Sequence, residues 1–415
     1  MEAFRYVIIG GGLAGGTACE GIRKLDPHGS IALVTKELHR PYQRPPLSKG
    51  YLRGVEGLDK VHLRDDGYYA AQKVDLLTGT VAGQVHRAVH RVLLGDGREL
   101  GYEKLLLATG GHAWRLPIAG ADLPEVMLLR TIGDSDAIRA AAGPGRRAVV
   151  IGGSFIGSEV SSSLAQLGTQ VTTIYAGPRL LDKVAPEALS AHLQALYEAR
   201  GVRLIAGAQP RSFEGAGAAT RVLLDNGEAI EADFVVLGVG IRLDTELARN
   251  AGLALSERGE VLVDEYLRTS DPDIYAAGDI ASWPDATFGR RLRVEHWDVA
   301  RQQGQRAGRN MAGEGKPYRT MPYFFSDLFD LSFDAWGDLA GWQQTILRGS
   351  LEGGSFAYYY FARGTLTGVL AVRRPEAERK PMQALVRARL SFESVAARLA
   401  DEGVDLNALL PAPSA

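Results

Sequence analysis

Short apolar runs that end on glycine recur along this chain and set its predicted layout. Residues 5–9 (RYVII) read as a strand buried on both faces, with a helix from about 13 to 25 and a strand IALVT at 31–35. Together they form a βαβ unit with glycines in its first turn. The stretch 39–52, HRPYQRPPLSKGYL, is too rich in proline for an ordinary helix start and reads as a structured loop feeding a short helix. KLLLAT at 104–109 is a further parallel strand, and 112–125 is a crossover into a second unit. That unit is predicted from a strand at 146–153, a helix at 155–167, a strand QVTTIY at 170–175, a helix at 186–200, a strand at 202–207 and a closing strand at 234–240. Asp225-Asn226-Gly227 carries the signal of a hairpin with a type I′ turn. The pattern then returns to the first unit, with strands and a glycine turn before 281 and a helix over 297–311. Aromatic residues crowd the last hundred positions, where antiparallel strands within 356–374 and helices over 381–400 predict a third, α+β domain.

Composition narrows the chemistry. A chain of 415 residues buries enough for two or three domains. The net charge of -2 argues against a general nucleic-acid binder. MEAFRYVIIGG runs straight into a strand, and no apolar run reaches membrane-spanning length, so a soluble, cytoplasmic protein with no membrane partner is expected. Cys19 is the single cysteine. An intramolecular disulfide, a redox dithiol and a cysteine-ligated cluster are therefore excluded on this chain. No metal site is expected.

Two glycine turns carry the candidate chemistry. The first holds Gly10, Gly12 and Gly15, and the second holds Gly152, Ser154 and Gly157. Glycines there let a backbone approach a pyrophosphate at a helix amino terminus. Glu37 stands 22 positions after Gly15, the spacing of a carboxylate that accepts ribose hydroxyls. Asp279, after Gly278, is placed to accept a sugar hydroxyl or to cap the next helix. Arg44 and Lys49 are candidate cations beside a bound cofactor or plain loop charges. Glu159, two residues past Gly157, is a candidate partner for Lys49.

The motifs GGGLAG, HRPYQRPPLSKGYL, LLLATGG, VVIGGSFIGSE, TSDPDIYAAGDIA and VEHWDVARQQGQRAGRNM resemble those of the FAD-dependent pyridine-nucleotide oxidoreductases, in the branch of putidaredoxin reductase and the dioxygenase ferredoxin reductases. The likeness covers roughly residues 4–313. It implies an α/β fold class: two Rossmann-like nucleotide-binding domains of glutathione-reductase type plus a C-terminal α+β domain. The implied boundaries are 1–113 with 241–320 for FAD, 114–240 for NAD(P) and 321–415 for the last domain. It further implies that Gly10, Gly12, Leu13, Ala14, Gly15 and Glu37 hold the FAD pyrophosphate and ribose. Val81 would meet the adenine, Thr109 and Gly110 would line the channel, and Arg44 and Arg130 would contact the cofactor. Asp279 would bind the ribityl chain, and His296 and Trp297 would bring a helix amino terminus to the pyrimidine. Lys49, paired with Glu159, would form the catalytic couple near the flavin N5. The nicotinamide site would use Gly152, Ser154, Phe155, Ile156, Gly157, Glu159, Tyr175 and Gly238.

Branch members lack a dithiol beside the flavin, as this chain does. The implied activity is that of an NAD(P)H-dependent ferredoxin reductase, an oxidoreductase passing hydride to FAD and single electrons to a [2Fe–2S] or Rieske-type ferredoxin. Arg290, Arg291, Arg293, Arg301, Arg306, Arg373 and Arg374 are candidate docking charges or a solvated face. The aromatic tail also resembles monodehydroascorbate reductase and apoptosis-inducing-factor relatives. That keeps two alternatives: reduction of a small acceptor such as a quinone, oxygen or ascorbyl radical, or a redox-responsive binding protein. Two positions depart from the pattern. Ser154 replaces a glycine, and Tyr175 replaces the acid that selects NADH; Arg179 is a candidate for a 2′-phosphate. NADH stays narrowly ahead because no paired basic cluster follows Tyr175. A homodimer is left open.

Overall fold

The computed structural model describes residues 2–215 and 221–411. The chain forms two compact units. The first is built from Met1–Pro45, Gly57–His112 and Ile241–Pro322, the second from Pro46–Glu56, Ala113–Gly240 and Tyr323–Ala415.

In the first unit, Glu2–Ile9 lies between Ile31–Val34 and Glu99–Leu107, with Val74–Leu77 beyond Ile31–Val34, all parallel. Ile274–Ala276 adds a further parallel strand against Glu99–Leu107. The registers pair Ile9 with Leu107 and Leu107 with Ala276, so these three strands end level with one another. The loops that follow them, at Gly10, Thr109 and Asp279, therefore leave from one carboxyl edge, where open α/β sheets bind ligands. The Leu13–Arg23 helix packs closely on the Trp297–Met311 helix. Glycine makes this approach possible: a Cβ at Gly304 would meet Ala14 O at 2.2 Å, and one at Gly308 would meet Ala18 O at 2.2 Å. Cys19 is buried on the first of these helices, where desolvation raises its pKa to about 12.

The second unit repeats the plan. Five parallel strands run in the order Arg203–Ala206, Gln170–Tyr175, Arg147–Ile151, Phe234–Leu237, Val126–Leu128. Ile151 pairs with both Ile174 and Leu237, which puts Gly152, Tyr175 and Gly238 on one edge. The 225–227 hairpin differs from the sequence expectation. Gly227 has φ +87, and neither Asp225 nor Asn226 takes a positive φ. Gly227 N–H bonds Leu224 O and Leu224 N–H bonds Glu228 O, the pattern of a type I turn closed by a glycine bulge. The three-residue loop accounts for this, because a type I′ turn needs two left-handed residues.

The C-terminal residues form a five-stranded antiparallel sheet, in the order Tyr323–Leu328, Leu331–Gly337, Thr365–Val372, Ser355–Ala362, Gln344–Ser350. Helices Glu376–Ala388 and Phe392–Ala400 follow. This sheet does not keep a core to itself. Phe324, Phe333, Phe356 and Tyr360 join Val160, Leu193, Tyr197 and Phe234 in one buried cluster. The aromatic crowding seen in the sequence is the material of that shared core. Among the described residues, no helix is long and apolar enough to cross a membrane.

Candidate functional site

The first glycine turn is a cradle made by the absence of side chains. Gly10 has φ +118, and a Cβ there would lie 2.1 Å from Ala108 O. A Cβ at Gly15 would lie 1.9 Å from Gly10 O, so the helix start can seat against the turn only with glycine. Gly12 differs, since its Cβ would enter open space. Gly12 is also the N-cap of the Leu13–Arg23 helix and gives no side-chain cap, and no acidic residue stands in the first turn. Leu13 and Ala14 are buried and offer backbone. The amides of this first turn thus keep donors for an anion.

Glu37 lies just beyond the Ile31–Val34 strand. Its Oε1 accepts from Arg44 Nη2 at 2.8 Å, and its Oε2 accepts from the Tyr42 hydroxyl. Arg44 Nη1 also donates to Tyr42 Oη at 3.0 Å. Burial works against the Arg44 charge, but Tyr42, Glu37 and Asp279 outweigh it and raise its pKa. Burial likewise pushes the Tyr42 hydroxyl up, keeping it a neutral donor. Sequence reading named Glu37 and Arg44 separately, whereas the fold makes them one ion pair with Tyr42 between them.

Asp279 is partly buried and acts electrostatically on both Arg44 and His296. Desolvation brings the His296 pKa down to about 4 against the pull of Asp279, so the ring is neutral near pH 7. His296 is the N-cap of the Trp297–Met311 helix and gives no side-chain cap. Trp297 Nε1 donates to Gln43 Oε1 at 3.1 Å, and the Arg301 guanidinium stacks 5.3 Å from its ring centroid. Thr109 Oγ1 donates to Asp244 O at 2.5 Å, and Gly110 O accepts from Asp244 N–H. The Asp244 carboxylate takes His112 at 2.6 Å and Lys36 at 3.1 Å. Burial opposes its charge, but these two partners lower its pKa. Val81 has an exposed side chain, and its carbonyl accepts from Gly95 N–H.

The second glycine turn is interlocked with the strand beside it. A Cβ at Gly152 (φ +128) would lie 2.3 Å from Gly238 O, and one at Gly157 would lie 2.0 Å from Gly152 O. A Cβ at Gly238 would lie 2.9 Å from Gly157 Cα. Ser154 is exposed at the N-cap of the Phe155–Gln166 helix and makes no side-chain cap, so these amides too retain donors. Ile156 is 43% exposed. Phe155 is turned to the C-terminal sheet, edge-on to Phe324 with ring centroids 5.1 Å apart. Arg130 follows the Val126–Leu128 strand, and its N–H bonds Asp134 Oδ2 at 3.0 Å. Tyr175 ends its strand as a buried residue whose hydroxyl has no hydrogen-bond partner.

Lys49 and Glu159 meet inside this second unit. Lys49 Nζ is 2.7 Å from Glu159 Oε1, with side chains 11% and 4% exposed. Sequence reasoning missed the other groups there. Ser48 Oγ donates to Glu159 Oε2 at 2.5 Å, and Ser326 Oγ donates to Oε1 at 2.6 Å. The Phe325 ring lies 5.1 Å from Lys49 Nζ. Ser163 Oγ donates to Ser48 O at 2.6 Å and Ser135 Oγ to Leu47 O at 2.8 Å, fixing the 46–56 segment. Lys49, Ser48 and Ser326 thus give this buried carboxylate three donors that fix its position.

Most arginines named as docking charges are engaged within the protein. Arg374 is excluded as a docking group: its side chain is 6% exposed, between Glu378 and Glu402. Arg291 donates to Val263 O and Ser282 O, Arg293 pairs with Glu260 and Glu295, Arg301 with Asp298 and Arg306 with Glu314. Arg373 donates to Asp330 O.

Comparison with known proteins shows the family. Residues 4–304 match the family described as pyridine nucleotide-disulphide oxidoreductase, and 323–410 match the reductase C-terminal family. The chain is 36% identical over 363 residues to the anthranilate 1,2-dioxygenase system ferredoxin–NAD(+) reductase component of Burkholderia cepacia, covering 86% of this chain and 88% of that one. It is 33% identical over 415 residues to putidaredoxin reductase of Pseudomonas putida, covering 99% and 97%. In structure it is similar to the ferredoxin reductase for the CYP199A2 system from Rhodopseudomonas palustris, with a TM-score of 0.91, 31% identity and coverage of 98% and 100%.

Proposed function

The chain belongs to the pyridine nucleotide-disulphide oxidoreductase family, and on that premise we propose that it is an FAD-dependent NAD(P)H:ferredoxin reductase whose electrons go to a [2Fe–2S] ferredoxin. The observation that carries the reading is the pair of glycine-built turns, at Gly10–Gly15 and Gly152–Gly157, each opening a helix without a side-chain cap. Two such turns suit two dinucleotides. The reductase C-terminal match and the single buried cysteine separate the chain from relatives that pass electrons through a dithiol.

FAD, when bound, takes a hydride and gives electrons up singly, which is the chemistry a one-electron iron–sulfur carrier requires. The roles of the protein follow from its own groups. Amides after Gly12 bind a pyrophosphate. Glu37, oriented by Arg44 and Tyr42, accepts from the ribose hydroxyls. Val81 backbone meets the adenine, Thr109 and Gly110 are set by Asp244, and Asp279 accepts from the sugar chain. The Trp297 helix start, beside a neutral His296, presents N–H donors to a ring carbonyl. Arg130 is a further cofactor contact. Lys49 supplies a cation at the reacting edge, and Glu159 keeps it there. Gly152, Ser154, Ile156, Gly157 and Gly238 form the nicotinamide nucleotide's turn, backed by Phe155 and Tyr175. Weak redox encounters rest on small, electrostatically matched surfaces; Arg290, exposed, is the docking charge to test first.

The test is anaerobic. The purified protein is expected to carry one FAD, to bleach on adding NADH or NADPH, and to reduce cytochrome c rapidly only when a [2Fe–2S] ferredoxin is supplied. Equal cytochrome c reduction with and without ferredoxin would sink the assignment.

A further inference from the structure

Dinucleotide sites of this type tell NADH from NADPH where the second strand ends: a carboxylate there bonds the ribose hydroxyls and repels a 2′-phosphate. In this chain that position is Tyr175, and its side chain does something else. A Cβ at Gly153 would come within 2.8 Å of Tyr175 Cγ, so the ring lies against the glycine turn, and the residue is 4% exposed. The tyrosine packs the floor of the turn and leaves ribose recognition to another group.

The loop after the strand folds back to that same place. Leu181 takes φ +53, a left-handed backbone that a bulky side chain rarely adopts. Its N–H donates to Gly153 O at 2.8 Å, pinning the loop beside the turn. The return carries the Asp182 carboxylate over Gly177, two residues past the strand end. A Cβ at Gly177 would lie 2.5 Å from Asp182 Oδ2, so only glycine leaves this space to the carboxylate. Among the described residues, Asp182 has no hydrogen-bond or ion-pair partner. Arg179 is in the same loop but does not pair with it, and its Nε is buried without a partner, so that edge of the guanidinium is turned inward.

We propose that Asp182 is the ribose-binding acid of this site, relocated from the strand end to the returning loop, and that the chain therefore selects NADH over NADPH. This rests on the reading that the second unit binds a nicotinamide nucleotide. Ribose hydroxyls give the partnerless carboxylate two donors, whereas a 2′-phosphate brings a like charge against it. Arg179, with one edge sequestered, presents less than its full fork to a phosphate.

Calorimetric titration of the FAD-loaded protein with ADP and with 2′,5′-ADP reads the adenosine end without turnover. The wild type is expected to bind ADP about tenfold or more tightly than 2′,5′-ADP. Asp182→Asn should bring the two within about threefold, mainly by strengthening 2′,5′-ADP, and Asp182→Glu should keep most of the original ratio. The NADH to NADPH ratio of kcat/KM should move with these affinities. Tighter or equal binding of 2′,5′-ADP by the wild type, or an unchanged ratio in Asp182→Asn, would overturn the proposal alone. Loss of 2′,5′-ADP binding in Arg179→Gln would then assign the phosphate to Arg179. Failure of both nucleotides to bind would overturn the nicotinamide site itself and the proposal with it.

Discussion

Lys49→Met is the substitution that probes the buried pair most sharply. It removes the cation at Glu159 but keeps a stem to pack on Phe325. Glu159 is 4% exposed, so it has almost no route to water. A buried charge stripped of its partner costs about 3–5 kcal/mol. Here Ser48 and Ser326 still donate, at 2.5 and 2.6 Å, and charge-assisted bonds of that kind offset part of the loss. We therefore expect Lys49→Met to destabilise by about 2–3 kcal/mol. The reverse change, Glu159→Gln, leaves the lysine, whose side chain is 11% exposed and has a face of Phe325 beneath it. Its ammonium keeps a path to solvent, so the expected loss is about 1 kcal/mol. Adding Ser326→Ala to Lys49→Met should cost more than adding it to the wild type, because the hydroxyl then carries more of the carboxylate. Urea unfolding of the FAD-loaded protein, followed by far-ultraviolet circular dichroism, measures all four variants. A Gln variant as unstable as the Met variant, or an identical serine effect in both backgrounds, would refute the reasoning.

The two glycines of the first turn should fail differently. Gly15→Ala drives a Cβ to 1.9 Å from Gly10 O and should lower Tm even without FAD, whereas Gly12→Ala meets open space and should leave the apo Tm unchanged while lowering FAD content on purification. His296 makes stability depend on pH: its folded pKa of about 4 lies below the ordinary 6.5, so the unfolded chain binds the proton first as pH falls. The contribution is whole above pH 6.5 and is lost towards pH 4, up to about 3 kcal/mol, and His296→Gln should flatten that part of a urea-midpoint against pH curve. Arg348 is 2% exposed and donates to Glu378 and to the carbonyls of Leu399, Asp401, Glu402 and Val404. Arg348→Met strands these acceptors and should cost about 3 kcal/mol or more by the same unfolding assay.

Elements with strong apolar periodicity were legible in the sequence. The strand 170–175 and the helix 297–311 stand where the pattern puts them, because their faces are set by local alternation and period. The glycines of both turns were legible because part of their constraint is local, Gly15 seating against Gly10 O and Gly157 against Gly152 O. Groups brought in from afar were not. Ser48 and Ser326 reach Glu159 across 111 and 167 positions, and nothing in the local pattern around either serine points to that carboxylate. Membership of the 46–56 segment in the second unit depends on serine bonds such as Ser163 to Ser48, which no periodicity encodes. The Tyr42 bridge between Glu37 and Arg44 was hidden because its neighbours read as a proline-rich loop. Turn type at Gly227 was misjudged because dipeptide signals do not fix loop length. Arg374 was taken as a surface charge, and only the fold reveals the two glutamates that enclose it.

The central claim is that electrons entering as hydride leave singly to an iron–sulfur carrier. Stopped-flow mixing of the NADH-reduced protein with an oxidised [2Fe–2S] ferredoxin, and separately with a soluble quinone at equal concentration, tests it most directly. The account predicts fast one-electron reduction of the ferredoxin, slowed by rising salt, and a much slower reaction with the quinone. Quinone reduction that outruns every [2Fe–2S] carrier tried would contradict it.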